Sequence, residues 1–196
     1  MKGTIALMTL VLFAAPMTLD AAVYEIDPIH SSVGFKVGHL VGFVPGSFTD
    51  FSGTVVFDEG KPGESKVTAT VSVGSLDTNV GDRDKHLLGA DFFKADSFPS
   101  ATFVSKKVVV GDGKVAKVKG DLTMLGVTKE VILDVTYNGA GTDHMGTNRV
   151  GFSAETMIDR TEFGMTFNIP AKSGGFMLAN EVTLVLEIEG IESKGK

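Results

Sequence analysis

The chain has 196 residues, no cysteine, no tryptophan and a formal net charge of −6 at pH 7. Without cysteine, disulfide bonds cannot hold the fold, so the hydrophobic core must supply the stability. The acidic balance, with no cluster of lysine and arginine, argues against a nucleic-acid partner and against a permanent electrostatic hold on anionic lipid.

The first segment has the pattern of a secretory signal peptide. Residues 1–15 read MKGTIALMTLVLFAA, in which Lys2 precedes an uncharged apolar run that is too short to span a bilayer. We place the cleavage site after Ala22, although Asp20 then stands where a small neutral residue is usual. Residues 1–22 are thus predicted to be removed, and residues 23–196 to form one domain outside the cytoplasm, in the periplasm rather than the medium if the cell has two membranes.

Alternation of apolar and other residues dominates the rest of the chain and predicts about eight strands with one buried face. The segments whose inward members are apolar are 33–39, 51–57, 67–73, 101–103, 116–124, 131–137, 150–158 and 182–188. Turn signals such as GDGK at 111–114 suit hairpins between sequential strands. An all-β, antiparallel up-and-down barrel would bury the apolar face and remove both sheet edges. A two-sheet sandwich is the alternative.

Residues 81–93, GDRDKHLLGADFF, interrupt the strand pattern with five consecutive charged or titratable side chains. They predict a short helix, with Asp77 and Asn79 as caps, acidic residues in its first turn and Gly89 at its end. Leu87 and its neighbour would pack inward. We interpret this run as a lid or rim of the barrel mouth, rather than as a reaction centre.

A second interruption covers residues 160–180, RTEFGMTFNIPAKSGGFMLAN. This long loop contains phenylalanine and methionine side chains beside several glycines. Flexible apolar side chains of this kind could gate an apolar opening, or they could form a small satellite core under the loop.

The inward set of the predicted strands mixes large aromatic residues with small ones. The small members are Gly53, Ala69, Ala101, Ala116, Gly120 and Ala154. A barrel of about eight strands is either filled by side chains or wide enough for one slender ligand. Small residues leave room for a ligand, but they can also interlock with large residues in a packed core.

Six short motifs together resemble the YceI-like family. They are YEIDPIHSSVGFKVGHL at 24–40, GSFTDFSGTVVFD at 46–58, RDKHLLGADFF at 83–93, FPSATF at 98–103, GDLTMLGVTKEV at 120–131 and DRTEFGM at 159–165. The resemblance spans nearly the whole mature chain, and the motifs stand in the family's order and spacing. The resemblance implies a periplasmic, lipocalin-like barrel that binds a polyisoprenoid, such as a quinone or polyprenyl compound, in its lumen.

In this interpretation the lipid tail lies among the inward side chains and the polar head lies at the mouth. The lumen residues would be Phe35, Val37, Phe51, Val55, Phe57, Val71, Phe103, Leu122, Phe152, Ala154 and Leu184. The family motifs place head-group candidates at His39, Arg83, Asp84, His86 and Arg160, and the long loop adds Phe163 and Met165. Each polar candidate has a purely structural alternative, such as pairing between Asp84 and Arg83. No cofactor is expected, while transient membrane contact and a homodimer stay open.

Two other classes of function compete with lipid binding. A metal or hydrolytic enzyme is disfavoured, because the chain has no HExxH, no cysteine pair and no GxSxG motif. His30 and His39 would also point to opposite faces of one predicted strand. A non-catalytic interaction or stress-response protein would be favoured if Phe35, Phe57 and other inward phenylalanines filled the lumen.

Overall fold

The alternating apolar residues form a closed antiparallel barrel in the computed structural model, which describes residues 21–193. The strands of this part of the chain are β1 (Ala22–Ile26), β2 (Ser32–His39), β3 (Gly42–Phe48), β4 (Phe51–Phe57), β5 (Lys66–Ser72), β6 (Leu76–Asp77), β7 (Ser100–Val110), β8 (Val115–Met124), β9 (Val127–Thr142), β10 (Asn148–Asp159) and β11 (Leu178–Glu192). The helices are α1 (Gly81–Leu88) and three short 3-10 turns, Pro62–Glu64, Val73–Ser75 and Arg160–Phe163.

The eleven described strands occupy eight positions in the barrel wall. Six of the strands form three interrupted strands of two segments each, and the other five are continuous. β1 and β2 both pair with β11, through Tyr24 opposite Glu192 and Ser32 opposite Glu187, so they act as one interrupted strand. β3 with β4, and β5 with β6, form the next two interrupted strands. The wall continues through β7, β8, β9 and β10 to β11. The predicted eight-stranded barrel is confirmed, and the two-sheet sandwich is wrong.

The sequence pattern missed β1 and β3 as strands. β3 contains Pro45, which has no amide donor and therefore argues against a strand. The barrel tolerates Pro45 because β3 meets β6 only at Ser47 and Phe48, so the rest of β3 has a paired strand on one side only. β3 is therefore a weakly paired part of the wall.

Two ends of the barrel can be distinguished by their connections. The lid end carries the β2–β3 turn, α1 with residues 89–99, the β8–β9 turn and residues 160–177. The hairpin end carries the connections β4–β5, β7–β8 and β9–β10. One apolar cluster, with Phe57 and Val150 at its centre, lies towards the hairpin end, and another, around Leu122 and Phe163, lies towards the lid end.

α1 agrees with the helix predicted within residues 81–93. Its acidic first turn and the glycine that follows Leu88 are as predicted. The predicted caps are wrong, because the N-cap residue is Val80, which makes no side-chain capping bond. The carboxylate of Asp77 instead accepts from the amide of Asn79 at 2.7 Å, which tightens the turn before the helix.

An ion-pair cluster on the outer wall braces the interruption between β1 and β2. Nδ1 of His30 and Nη1 of Arg149 lie 2.7 Å and 2.8 Å from the buried carboxylate of Asp27. Arg149 also binds Asp143 and Glu189. The hydrogen bond to His30, followed by that to Arg149, lowers the pKa of Asp27 to about 2.

The predicted signal peptide falls largely on residues 1–20, which lie outside the described residues, so it stays a prediction. β1 begins at Ala22, the residue after which cleavage is predicted. Within residues 21–193, neither α1 nor any 3-10 turn has the length and apolar character that crossing a membrane requires.

Candidate functional site in the barrel lumen

An elongated cavity of about 830 Å³ runs through the barrel. Its volume lies in the range of sites that hold small organic ligands. Its wall consists mainly of apolar side chains from the inward faces of the strands. The predicted lumen residues all line it: Phe35, Val37, Phe51, Val55, Phe57, Val71, Phe103, Leu122, Phe152, Ala154 and Leu184. Whether these residues contact a ligand stays a prediction.

The aromatic residues line the wall without filling the lumen. The ring of Phe57 packs against Tyr137 and Phe152, with centroids 5.0 Å and 5.2 Å away. Phe35 packs against Phe48 in the same manner, at 5.8 Å. These rings pack against neighbouring rings in tilted or edge-to-face contacts, and the cavity remains open between the walls.

Small inward residues contribute to this space unequally. A Cβ atom at Gly120 would lie 2.5 Å from Cζ of Phe103, and one at Gly53 would lie 2.3 Å from the carbonyl oxygen of Thr68. Of the two alternatives left open by the sequence, the packed one holds at both glycines, because neighbouring atoms take their space. The cavity is lined instead by the inward alanines Ala69, Ala101, Ala116 and Ala154.

The predicted head-group candidates divide into two sets. Those that line the cavity are His39, Arg83, His86, Arg160 and Met165. Asp84 and Phe163 do not line it. Phe163 is almost completely buried beside Leu122 and Ile158, so it belongs to the apolar cluster of the lid end.

Asp84 and Arg83 both bind Thr78, a buried residue just before α1. Asp84 accepts from the amide and the hydroxyl of Thr78, with the amide at 3.0 Å. Arg83 donates through Nε to the hydroxyl and through Nη2 to the carbonyl oxygen of Thr78, both at 2.7 Å. These bonds fix α1 to the end of β6. Thr78 was missed at the sequence level, because an isolated threonine gives no signal.

His86 belongs to an aromatic cluster that joins α1 to the long loop. Its ring meets Phe92 and Phe167 edge to face, with centroids 5.2 Å and 5.1 Å away, and these two rings contact each other at 5.3 Å. Nε2 of His86 also lies 2.9 Å from the carboxylate of Asp91. All three rings line the cavity, so the cluster covers part of the lumen at the lid end.

Arg160 is the most deeply buried of the polar candidates, with 4% of its surface exposed. Nε donates to the carbonyl oxygen of Ala179 at 3.0 Å, and Nη1 donates to those of Met165 and Phe167. Burial lowers the pKa of Arg160, although a guanidinium stays protonated in proteins. Nη2 is buried and has no hydrogen-bond partner in the described structure.

The cavity also reaches the hairpin end, where the sequence pattern indicated no site. Glu59, Lys114 and Val115 line it there, and all three are exposed. Nζ of Lys114 lies 5.7 Å from the ring centroid of Tyr137. Burial, followed by the charge of Glu59, raises the pKa of Tyr137. Both ends of the lumen therefore have lining residues that solvent can reach.

His30 and His39 do not come together as metal ligands in the described part of the chain. His30 precedes β2, on the outer wall, so the expectation that it shares a strand with His39 is wrong. Of the described residues, Asp27, His30 and Glu189 form the set whose ligand atoms lie close enough for a metal ion. Arg149 already binds both carboxylates of this set, which explains their proximity without a metal.

Comparison with known proteins agrees with this geometry. The sequence model of the YceI-like domain matches residues 24–190. Protein YceI of Shigella flexneri is 40% identical over 177 residues, which are 89% of this chain and 89% of that protein. The crystal structure of BcnA from Burkholderia cenocepacia superposes with a TM-score of 0.73 at 25% identity, over 84% of this chain and 98% of BcnA.

A more distant structure shares the fold. It is a polyisoprenoid-binding domain from Saccharophagus degradans, with a TM-score of 0.63 at 14% identity, and the match covers 88% of this chain and 99% of that domain. The six sequence motifs, the closed barrel and the match over residues 24–190 agree with one another. This chain belongs to the YceI-like family.

Proposed function

We propose that the protein binds a long-chain amphiphilic lipid in its lumen and stores or carries it in the periplasm, without catalysing a reaction. The ligand class that fits best is a polyisoprenoid, such as a quinone or a polyprenyl compound. The elongated apolar cavity of about 830 Å³ is the observation that carries this proposal. The polyisoprenoid-binding domain of Saccharophagus degradans, which shares the fold, supports the ligand class.

The hydrophobic effect is large enough to drive such binding. Moving one five-carbon isoprene unit from water into an apolar lumen gains roughly 3 to 4 kcal/mol, at about 0.8 kcal/mol per carbon. Three units would gain roughly 10 kcal/mol before the costs of ordering the chain and the protein. Affinity therefore does not depend on a perfect fit along the whole tail, and a soluble protein can hold a lipid that water does not dissolve.

Arg160 is the best candidate for holding the polar head. Its Nη2 atom is a buried donor without a partner, and such a donor is costly unless something accepts from it. An oxygen of a quinone, alcohol or phosphate could accept this hydrogen bond from within the lumen. Arg83 is a weaker candidate, because Thr78 already occupies its Nε and Nη2 atoms.

The first test measures lipid binding after the lumen is narrowed. Ala154 lines the cavity on β10, so Ala154→Phe should lower the affinity for a long polyprenol about tenfold or more by occupying the space of the tail. Met157→Phe is the matched control, because Met157 is exposed on the outer face of the same strand. Mass spectrometry of the solvent extract, from protein purified without detergent, would also identify any lipid that copurifies.

Circular dichroism and thermal unfolding must show that both variants keep the barrel fold. A folded Ala154→Phe protein that binds the polyprenol as tightly as Met157→Phe would contradict binding in the lumen. A wild-type protein that copurifies with no lipid and binds neither polyprenols nor quinones would overturn the proposed function itself.

A further inference from the structure

Five exposed apolar side chains lie together on one side of the lid end. The β2–β3 turn presents Leu40, Val41 and Phe43, of which Val41 is fully exposed and Phe43 is 73% exposed. The long loop presents Ile169 and Phe176 beside them, and Phe176 is 65% exposed. We name the segments 39–43 and 168–177 together the apolar lip.

Backbone hydrogen bonds make the two parts of the apolar lip a single ordered surface. The amide of Leu40 donates to the carbonyl oxygen of Met177 at 3.0 Å. Met177 in turn donates to the carbonyl oxygen of Ile169 at 2.8 Å, and Pro170 forms a bridge with Phe176. The loop is thus a small hairpin fixed against the β2–β3 turn. Its apolar side chains are held in place rather than being a loose tail.

The apolar lip is continuous with the lumen. His39, Ile169 and Met177 belong to the lip and also line the cavity. A lipid that leaves the cavity at this edge would pass directly over apolar side chains. The lip therefore lies at one edge of the lumen where an apolar ligand can pass between the protein and its surroundings.

The composition of the apolar lip differs from that of the rest of the chain. The chain has a net charge of −6, yet residues 39–43 and 168–177 contain no aspartate or glutamate. Lys172 is exposed and is the lip's one lysine. By contrast, α1, which also lies at the lid end, has two aspartates in its first turn. A surface that is apolar, free of acidic groups and slightly basic suits lipid headgroups and the acyl region beneath them.

The backbone conformation of Leu40 also favours contact of the lip with a membrane. Its φ angle is 50°, in the left-handed region that glycine and asparagine occupy more easily than leucine. A short polar turn would connect β2 and β3 with less backbone strain. Leu40 and Val41, the two residues of this turn, are large and apolar, which does not favour the turn conformation. Such residues do favour insertion into a membrane surface.

We propose that the apolar lip docks the protein reversibly onto a phospholipid bilayer, so that a lipid moves between bilayer and lumen without crossing water. This inference rests on the proposed function in that it gives the lumen's ligand its route. The occupant of the lip is the bilayer surface, with the lumen opening towards it. Because the lip has little charge, its attachment depends mainly on the burial of apolar side chains and should change little with salt.

The experiment compares a lip variant with a wall variant in the full-length mature protein. The lip variant is Val41→Ser with Phe43→Ser, and the wall variant is Ile132→Ser with Met157→Ser. Each pair removes two exposed apolar side chains without changing the charge. Flotation with vesicles of phosphatidylethanolamine and phosphatidylglycerol, which contain no isoprenoid, measures docking. Uptake of a polyprenol is then measured from vesicles of the same phospholipids loaded with it and, separately, from a detergent dispersion.

We expect the wild type and the wall variant to float with the vesicles, and the lip variant to lose about tenfold or more of this binding. Uptake from vesicles should slow by a similar factor in the lip variant, while binding from detergent should stay unchanged. Equal flotation of both variants, or no flotation of the wild type, would overturn the docking proposal.

Two further results distinguish bilayer docking from lipid binding in the lumen and from self-association. If no protein takes up polyprenol from either source, the proposed function fails, although flotation still reports on the lip. If the wild type does not float but sediments as a dimer that the lip variant abolishes, the lip binds a second copy of the chain and the bilayer proposal is wrong.

Discussion

Arg160 holds the long loop, and we propose that the same side chain also binds the polar head of the ligand. Two of its nitrogens hold the carbonyl oxygens of Met165, Phe167 and Ala179, while Nη2 has no partner in the described structure. Arg160→Lys keeps the charge but loses the planar fork, so it cannot serve both roles. We expect it to weaken binding of a polyprenol about tenfold, while a hydrocarbon of equal length, without oxygen, binds nearly as before.

The comparison of the two ligands separates these roles. If Arg160→Lys weakens the alcohol and the hydrocarbon equally, the arginine only shapes the loop. Arg83→Ala provides the second arm, because Arg83 lines the cavity but is engaged by Thr78. Arg83→Ala should change the ratio of the two affinities less than Arg160→Lys does.

Asp27 makes the stability of the barrel depend on pH. Its pKa is lowered to about 2 in the folded protein, from an ordinary value near 3.8. The carboxylate therefore stabilises the fold above about pH 4, and this contribution is lost as the pH falls towards about 2. Asp27→Asn should lower the free energy of unfolding by about 1 to 2 kcal/mol at pH 6 and by much less at pH 2.

Urea unfolding of both proteins at the two pH values measures this effect. Asp143 also has a pKa lowered to about 2 and is present in both proteins, so only the part of its contribution that is coupled to Asp27 through Arg149 enters the difference. A difference that stays the same at pH 6 and pH 2 would show that the charge of Asp27 is not what stabilises the outer-wall cluster.

At the scale of elements, Thr78 determines how firmly α1 is attached to the barrel. Its hydroxyl accepts from Arg83 and donates to Asp84, so one side chain joins two helix residues to the end of β6. Thr78→Val keeps the shape and removes both bonds. Hydrogen exchange in residues 81–99 should become about tenfold or more faster, because bonds to charged groups are worth about 1.5 to 3 kcal/mol.

Thr78→Ser, which keeps the hydroxyl, is the matched control and should leave this exchange nearly unchanged. The amides of β8 and β9 should exchange at wild-type rates in both variants, since neither strand pairs with β6, to which Thr78 fixes the helix. Faster exchange throughout the barrel would mean that Thr78 supports the whole fold rather than the attachment of α1.

The elements of this fold differ in how far the sequence predicted them. Alternation predicted β4, β8 and β11 well, because one buried face imposes a period of two on each strand. β3 was missed because Pro45 lowers strand propensity and only the weak pairing with β6 permits it. Helix α1 was predicted, but its caps were wrong since Asp77 binds Asn79 within the turn.

In the candidate site, the sequence pattern predicted the residues of the wall but not the contacts of the residues at the mouth. The wall residues followed from parity alone, because every second side chain of a closed barrel faces the lumen. The partners of Asp84 and Arg160 did not follow, since they depend on the paths of loops that no period describes. Gly120 illustrates a third case, in which a neighbouring ring, Phe103, takes the space that composition alone suggested was free.

At the scale of the whole molecule, the barrel is a closed wall around a lumen whose lining is exposed at both ends. The wall needs no disulfide bond, because each of its eight positions is hydrogen-bonded to two neighbours along at least part of its length. Access to the cavity therefore depends on the connections at the ends. Substitutions on the strands should change the affinity for a ligand. Substitutions in the lid-end connections should change the rate at which a ligand enters or leaves the lumen.

The exposed lining at the hairpin end bears on the length of the lipid tail that the lumen can accept. A tunnel that is closed at one end selects ligands by tail length, because a tail longer than the tunnel cannot be enclosed. Here Lys114 and Val115 line the cavity and are themselves exposed, so in the proposed lipid complex the far end of a long tail would emerge between the hairpins. The protein would then distinguish lipids by their headgroup and by a minimum tail length. The tail lengths of the bound lipids would match those present in the membrane.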